Sequence, residues 1–182
     1  MEKKLVAIVG MCGSGKSVAT EYLEEKGWTK IYFGGVNLRK VKEAGLEINE
    51  ANEKMMREKL RKDYGMGAFA SILLPDIKEA IEKNDTVLDG LYSWDELKIL
   101  NEEFKGRIVV VGVVADKELR YGRLTGREVR PLTNEQAVSR DVAEIENSAK
   151  GGPIVFADYY IYNNGTKEEY INRLNEILEQ IN

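Results

Sequence analysis

Apolar positions along this chain follow two rhythms. Leu5–Val9 is an unbroken apolar run set between Lys3-Lys4 and Gly10, the pattern of a strand buried on both faces. Similar short runs at 29–33, 86–88, 107–114 and 158–162 predict four more strands. Between them the spacing turns helical. Residues 17–26 predict a helix stopped by Gly27, and 94–104, 117–124 and 134–148 predict three others. A long helical region covers roughly 36–83, broken at Gly45 and at Gly65-Met66-Gly67, with Met55 and Met56 read as core positions. The chain closes on an amphipathic helix over 167–181, with Tyr170, Leu174, Ile177 and Ile181 on one face.

Strands alternating with helices predict an α/β fold, a five-stranded parallel sheet covered by helices on both faces. Two excursions leave this scheme. One is the helical region after the second strand. The other is the polar segment 125–153, carrying Gly126, Pro131, Gly151, Gly152 and Pro153. Both have the look of ligand covers. No internal repeat or low-complexity stretch interrupts the pattern, and 182 residues suit one domain.

Composition narrows the chemistry. There is no histidine, so a Ser-His-Asp triad, a Cys-His pair and a histidine metal site are excluded. Cys12 is the one cysteine, so neither an internal disulfide nor a cysteine zinc cluster can form. Catalysis would fall to Lys, Arg, Asp, Glu, backbone amides or a bound metal. The net charge of −4 disfavours broad nucleic-acid binding. No apolar run approaches the ~20 residues of a membrane helix. A cytoplasmic protein without a membrane partner is expected; a monomer is compatible with the sequence, which does not fix the oligomeric state.

Gly10-Met11-Cys12-Gly13-Ser14-Gly15-Lys16-Ser17 fits G-x-x-x-x-G-K-[ST], between a predicted strand and a predicted helix. Glycines let several amides turn toward one phosphate chain, and the helix that follows adds its positive end. Lys16 would reach the β- and γ-phosphates, and Ser17 would ligate Mg²⁺. The donors of Gly10, Cys12, Gly13, Ser14, Gly15, Lys16, Ser17 and Val18 form the expected phosphate cradle. The Cys12 side chain reads as a small buried residue rather than a redox sensor. Asp89, ending the strand at 86–88 before Gly90, is the expected partner of Ser17 at the metal; capping of the next helix is the competing reading.

Arginine is the third signal. Arg120, Arg123 and Arg127 lie at helical spacing, followed by Arg130 and Arg140. Such a set can clamp a transferring phosphate. Its alternative is a solvated face paired with Glu118, Glu128 and Asp141. Arg123, Arg127 and Arg140 are the expected catalytic members, together with Lys16 and Asp89.

These segments, with Val87-Leu88-Asp89-Gly90 and Ala157-Asp158-Tyr159-Tyr160-Ile161-Tyr162-Asn163-Asn164-Gly165-Thr166, resemble the nucleoside monophosphate kinase superfamily of P-loop proteins. The similarity is greatest to its dephospho-CoA-kinase-like and adenylate-kinase-like branch. It implies a three-layer α/β/α P-loop NTPase fold with core segments 1–33, 84–122 and 154–182. A helical insertion at about 34–83 would bind the acceptor, and a short lid at about 123–153 would close over ATP. It also implies that Asn164 and Gly165 lie near the adenine. The expected cofactors are ATP and Mg²⁺, and the expected partner is a small nucleotide-like acceptor. Two departures stand out. Leu91-Tyr92-Ser93-Trp94 holds no arginine where relatives bind the acceptor phosphate, and Gly34-Gly35 replaces an aspartate. Arg39, Arg57 or Arg61 could substitute, and Phe33, Tyr92 and Trp94 could meet a base or a pantetheine-like arm or pack the insertion's hinge. The expected function is transfer of the ATP γ-phosphoryl group to dephospho-CoA or a nucleoside monophosphate. The alternative is a regulatory or adaptor protein that hydrolyses ATP slowly and has no small-molecule acceptor.

Overall fold

The computed structural model describes residues 3–128 and 131–181. Five strands, β1 (Leu5–Val9), β2 (Thr29–Tyr32), β3 (Thr86–Asp89), β4 (Ile108–Val114) and β5 (Tyr159–Tyr162), form one sheet in the order β2-β3-β1-β4-β5. Every neighbouring pair is parallel, with Ile8 opposite both Asp89 and Val111. The helices are α1 (Lys16–Glu25), α2 (Phe33–Glu43), α3 (Glu50–Tyr64), α4 (Ala68–Lys83), α5 (Trp94–Glu103), α6 (Lys117–Thr125), α7 (Asn134–Glu146), α8 (Gly151–Val155) and α9 (Lys167–Gln180).

Period-two alternation in β1 divides the core into two layers. Leu5, Ala7 and Val9 pack with Phe33 of α2, Leu73 and Ile77 of α4, and Leu97 and Leu100 of α5. Val6 and Ile8 pack on the other face with Ala19 and Leu23 of α1 and Tyr170, Leu174 and Ile177 of α9. Each such leucine or isoleucine contributes roughly 1.5–3 kcal/mol by leaving water. The result is the expected three-layer α/β/α arrangement.

Two elements differ from expectation. The second strand stops at Tyr32, and Phe33, Gly34 and Gly35 already form the first turn of α2. Phe33 is completely buried, so packing in the core draws the helix start forward across two glycines. Residues 151–155, expected in a polar loop, form α8, where Pro153 is buried and Gly152 packs against Trp94. Met56 enters the core, but Met55 is exposed, because adjacent helical positions face different ways.

Parallel pairing sends the loops after β1, β3, β4 and β5 to one edge of the sheet. The connection from β1 leads toward β2 and that from β4 toward β5, so the chain diverges beside the central strand. Ligands in open α/β folds bind at such a point.

Candidate functional site

The loop after β1 wraps the start of α1. Gly15 stands at the helix N-cap with φ +98°, and no side chain caps the helix. A Cβ at Gly15 would run into Asn163 Nδ2, and one at Gly10 would run into the Val113 carbonyl oxygen. The backbone therefore lies closer to β4 and the β5 loop than any side chain would permit. An uncapped helix end behind a tight glycine loop is a built anion site. Lys16 Nζ donates to the carbonyls of Gly10 at 2.7 Å and Met11 at 3.1 Å. Burial, and then repulsion from the Lys150 ammonium, lower its pKa to about 7.

Ser17 is exposed at the first turn of α1, whereas Ser14 is buried and its Oγ lacks a hydrogen-bond partner. Val18 N–H donates to the Gly15 carbonyl. Thr20 Oγ1 donates to the Ser17 carbonyl at 3.3 Å and to Asp89 Oδ2 at 3.2 Å, bringing α1 and the end of β3 together. Asp89 does not cap the following helix; Ser93 does, in a capping box with Glu96. The Ser17 hydroxyl at the start of α1 and the Asp89 carboxylate at the end of β3, elements that Thr20 joins, are oxygen ligands of the kind Mg²⁺ prefers, and it takes few of them from protein when phosphates and waters supply the rest. Among the described residues, no group of three or more His, Cys, Asp or Glu side chains could cage a metal alone.

The segment after β4 folds back over this loop. Leu124 of α6 and Ala137 of α7 pack on Cys12, whose side chain is thus buried apolar packing. Arg120 is buried, donates to the Cys12 carbonyl at 2.9 Å, and forms a two-point ion pair with Asp141 at 3.0 and 2.6 Å. It braces the loop and is not presented to a phosphate. Arg123 Nη2 donates to the Asn163 carbonyl at 2.8 Å, while its Nη1 is buried without a partner. Arg127 is exposed and lines, with Arg123, Asp116, Leu119 and Gly122, an open cavity of about 810 Å³. Asn164 Oδ1 accepts from the Asp116 N–H beside that cavity, and Gly165 follows Asn164 in the same loop. Arg130 lies outside the described residues.

Two residues absent from the sequence expectations, Glu144 and Lys150, complete the site, together with Asn163 of the segment 157–166, to which the sequence assigns no role of its own. Asn163 Nδ2 donates to the Ser14 carbonyl at 2.8 Å, locking the β5 loop to the glycine loop. Glu144 Oε2 accepts from Cys12 N–H at 3.3 Å and from Lys150 Nζ at 2.6 Å. Arg140 Nε reaches Glu144 Oε1 at 3.5 Å. The Lys150 side chain is 2% exposed, and its ammonium sits 4.7 Å from the Tyr92 ring centre. Burial would raise the Glu144 pKa, but Lys150, and then Lys16 and Arg140, hold it below the ordinary carboxylate value. Burial lowers the Lys150 pKa against the pull of Glu144.

On the insertion side, Arg39 is exposed on α2, and Arg57 ion-pairs with Glu53 at 3.8 Å. Arg61 stacks over Phe69 at 5.9 Å, with its Nε buried and unpartnered. Glu96 accepts from the N–H groups of Tyr92 and Ser93, and burial raises its pKa to about 7. Of the aromatics, Phe33 is core and Trp94 packs edge-on against Phe156 at 5.2 Å. Tyr92 alone turns toward the site, beneath Lys150. No helix among the described residues is long and apolar enough to cross a membrane.

Comparison with known proteins agrees with this fold. The AAA domain family matches residues 6–155. A UPF0200 protein of Thermococcus onnurineus (strain NA1) is 33% identical, over 97% of both chains. Among solved structures, TT1252 from Thermus thermophilus superposes with a TM-score of 0.69 at 17% identity, covering all of both chains. Shikimate kinase from Bacteroides thetaiotaomicron gives 0.60 at 14% identity, over 97% of this chain and 98% of that one. The structural likenesses establish a P-loop kinase-type fold. By sequence, the chain belongs to the AAA domain family and to the UPF0200 proteins.

Proposed function

We propose that this chain is an ATP- and Mg²⁺-dependent phosphotransferase that moves the γ-phosphoryl group to a small nucleotide-like acceptor, dephospho-CoA or a nucleoside monophosphate. The observation that carries the reading is the convergence of four cations, Lys16, Arg123, Arg140 and Lys150, around one uncapped helix start at the sheet's carboxyl edge. Phosphoryl transfer asks the protein chiefly for position and positive charge. The loop amides from Gly10 to Ser17 and the Lys16 ammonium neutralise the donor phosphates, while the Val18 amide is held by the Gly15 carbonyl. Ser17 and Asp89 are suited to hold Mg²⁺, which bridges phosphate oxygens and offsets their charge. The β5 loop at Asn164 and Gly165 and the cavity lined by Arg123 and Arg127 receive the base. Residues 123–153 act as a lid that excludes water, the competing acceptor.

Helices α2 to α4 form the acceptor side. Arg61 is the strongest candidate for the missing acceptor-side arginine, because its Nε is buried and unpartnered. A hydroxyl acceptor needs a proton acceptor, and Asp89 at the end of β3 fills that role. The test is ADP release from Mg·ATP in the presence of each candidate acceptor. Release that depends on one acceptor supports the proposal. Release equal with and without every acceptor favours a regulatory ATPase.

A further inference from the structure

One carboxylate oxygen, Glu144 Oε2, accepts from both the Cys12 amide of the glycine loop and the Lys150 ammonium. Arg140 reaches the other oxygen, and Lys16 lies near enough for its charge and that of Lys150 to repel. Arg140 is exposed and screened by water, so inside the protein Glu144 answers chiefly to Lys150 and Lys16, with Asp89 acting on Lys16 from the β3 side. A structural ion pair needs one cation per anion. Surplus positive charge inside a protein is costly unless an anion joins it. Lys150 is nearly sealed from water, between Glu144 and the face of Tyr92, so its charge is offset by a single carboxylate oxygen that it shares with the Cys12 amide. A carboxylate accepts hydrogen bonds through two oxygens and donates none, as phosphate oxygens do.

We propose that Lys150 is a catalytic cation that contacts the terminal phosphate of the bound triphosphate, and that Glu144 competes with that phosphate for Lys150 and for the Cys12 amide. The inference rests on the phosphotransferase reading for the nature of the donor. Entry of a phosphate takes over the donors held by Glu144, and Lys150 passes from carboxylate to phosphate without crossing water. The lid is thereby coupled to the presence of the third phosphate, because Glu144 and Lys150 sit on α7 and at the start of α8.

The test is calorimetric titration with inorganic triphosphate, ATP and ADP, each with Mg²⁺, with melting curves recorded in parallel. Glu144→Gln should bind inorganic triphosphate several-fold more tightly. Lys150→Met should bind ATP about tenfold or more weakly while ADP changes little, the size expected of a charge-assisted hydrogen bond. Lys150→Arg should restore most of the preference for ATP over ADP. The double variant Glu144→Gln/Lys150→Met removes both charges, so it should fold even if a single variant does not, and it too should lose that preference. A folded Lys150→Met or double variant that keeps the ATP preference overturns the proposal and leaves the phosphotransferase reading standing. A wild-type protein that binds neither triphosphate nor ATP overturns both.

Discussion

Asn163 Nδ2 donates to the Ser14 carbonyl across 2.8 Å inside the protein, tying the end of β5 to the glycine loop after β1. The Asn163 carbonyl in turn accepts from Arg123, so one residue joins the loop, the sheet and α6. Asn163→Ala would leave the buried Ser14 carbonyl unpaired, at a cost of about 1–3 kcal/mol. The melting temperature should fall and Mg·ATP affinity should fall with it. Unchanged affinity in a folded Asn163→Ala variant would show that the loop holds its shape alone.

The same contact explains Gly15. Gly15→Ala must adopt φ +98° and place a Cβ against Asn163 Nδ2. Nucleotide binding should be lost even if the rest of the chain folds, as circular dichroism and calorimetry together would reveal. Gly27, also at positive φ but with open space around it, is the control: Gly27→Ala should carry strain without affecting nucleotide binding.

Arg120 and Asp141 are predicted to matter for stability. Their pair is buried and two-pointed, and removing one partner strands the other charge. Asp141→Leu should cost about 3–5 kcal/mol in chemical denaturation, and Arg120→Met/Asp141→Leu should cost less than the single change. A double variant that lost the sum of the two single losses would mean that the charges were not coupled. Arg127, exposed at the open cavity, is the contrast. Arg127→Ala should leave the melting curve unchanged while raising the KM for ATP several-fold with little change in kcat, because Arg127 lines the cavity proposed to receive the base.

Most of the sheet was readable from the chain, because strands buried on both faces are written as apolar runs such as Leu5–Val9. The glycine loop was equally plain, since its backbone geometry demands glycine at particular positions. Asn163 was legible as part of the segment 157–166 but its bond to the glycine loop was not, and Glu144 and Lys150 were not readable at all. Glu144 and Lys150 meet only because α7 ends and the chain turns at Ala149, which takes φ +48° without being glycine. Nothing in a six-residue spacing marks that pairing. Arg120 misleads for a related reason: sequence places it on one helical face with Arg123, but α7 supplies Asp141 from a distance and converts it into a brace.

Lys16 should make triphosphate binding pH-dependent. Its pKa of about 7 lies below the ordinary 10.5, first through burial and then through Lys150. The unfolded chain binds more protons between those values, so this group's penalty to stability is full below pH 7 and disappears as pH rises toward 10.5. A triphosphate favours the charged ammonium, so its binding above pH 7 should take up a proton, and affinity should weaken as pH rises from 7 to 9. Titrations at pH 8 in two buffers of different ionisation enthalpy would measure that uptake. Zero uptake would contradict a buried, partly neutral Lys16.

The most direct measurement is phosphorus NMR of the protein with Mg·ATP and, in separate tubes, dephospho-CoA, the common nucleoside monophosphates, or no acceptor. A phosphotransferase gives a new phosphorylated product in one tube, and Lys16→Ala abolishes it. ADP and free phosphate alone, forming at one slow rate in every tube, would contradict phosphoryl transfer to these acceptors.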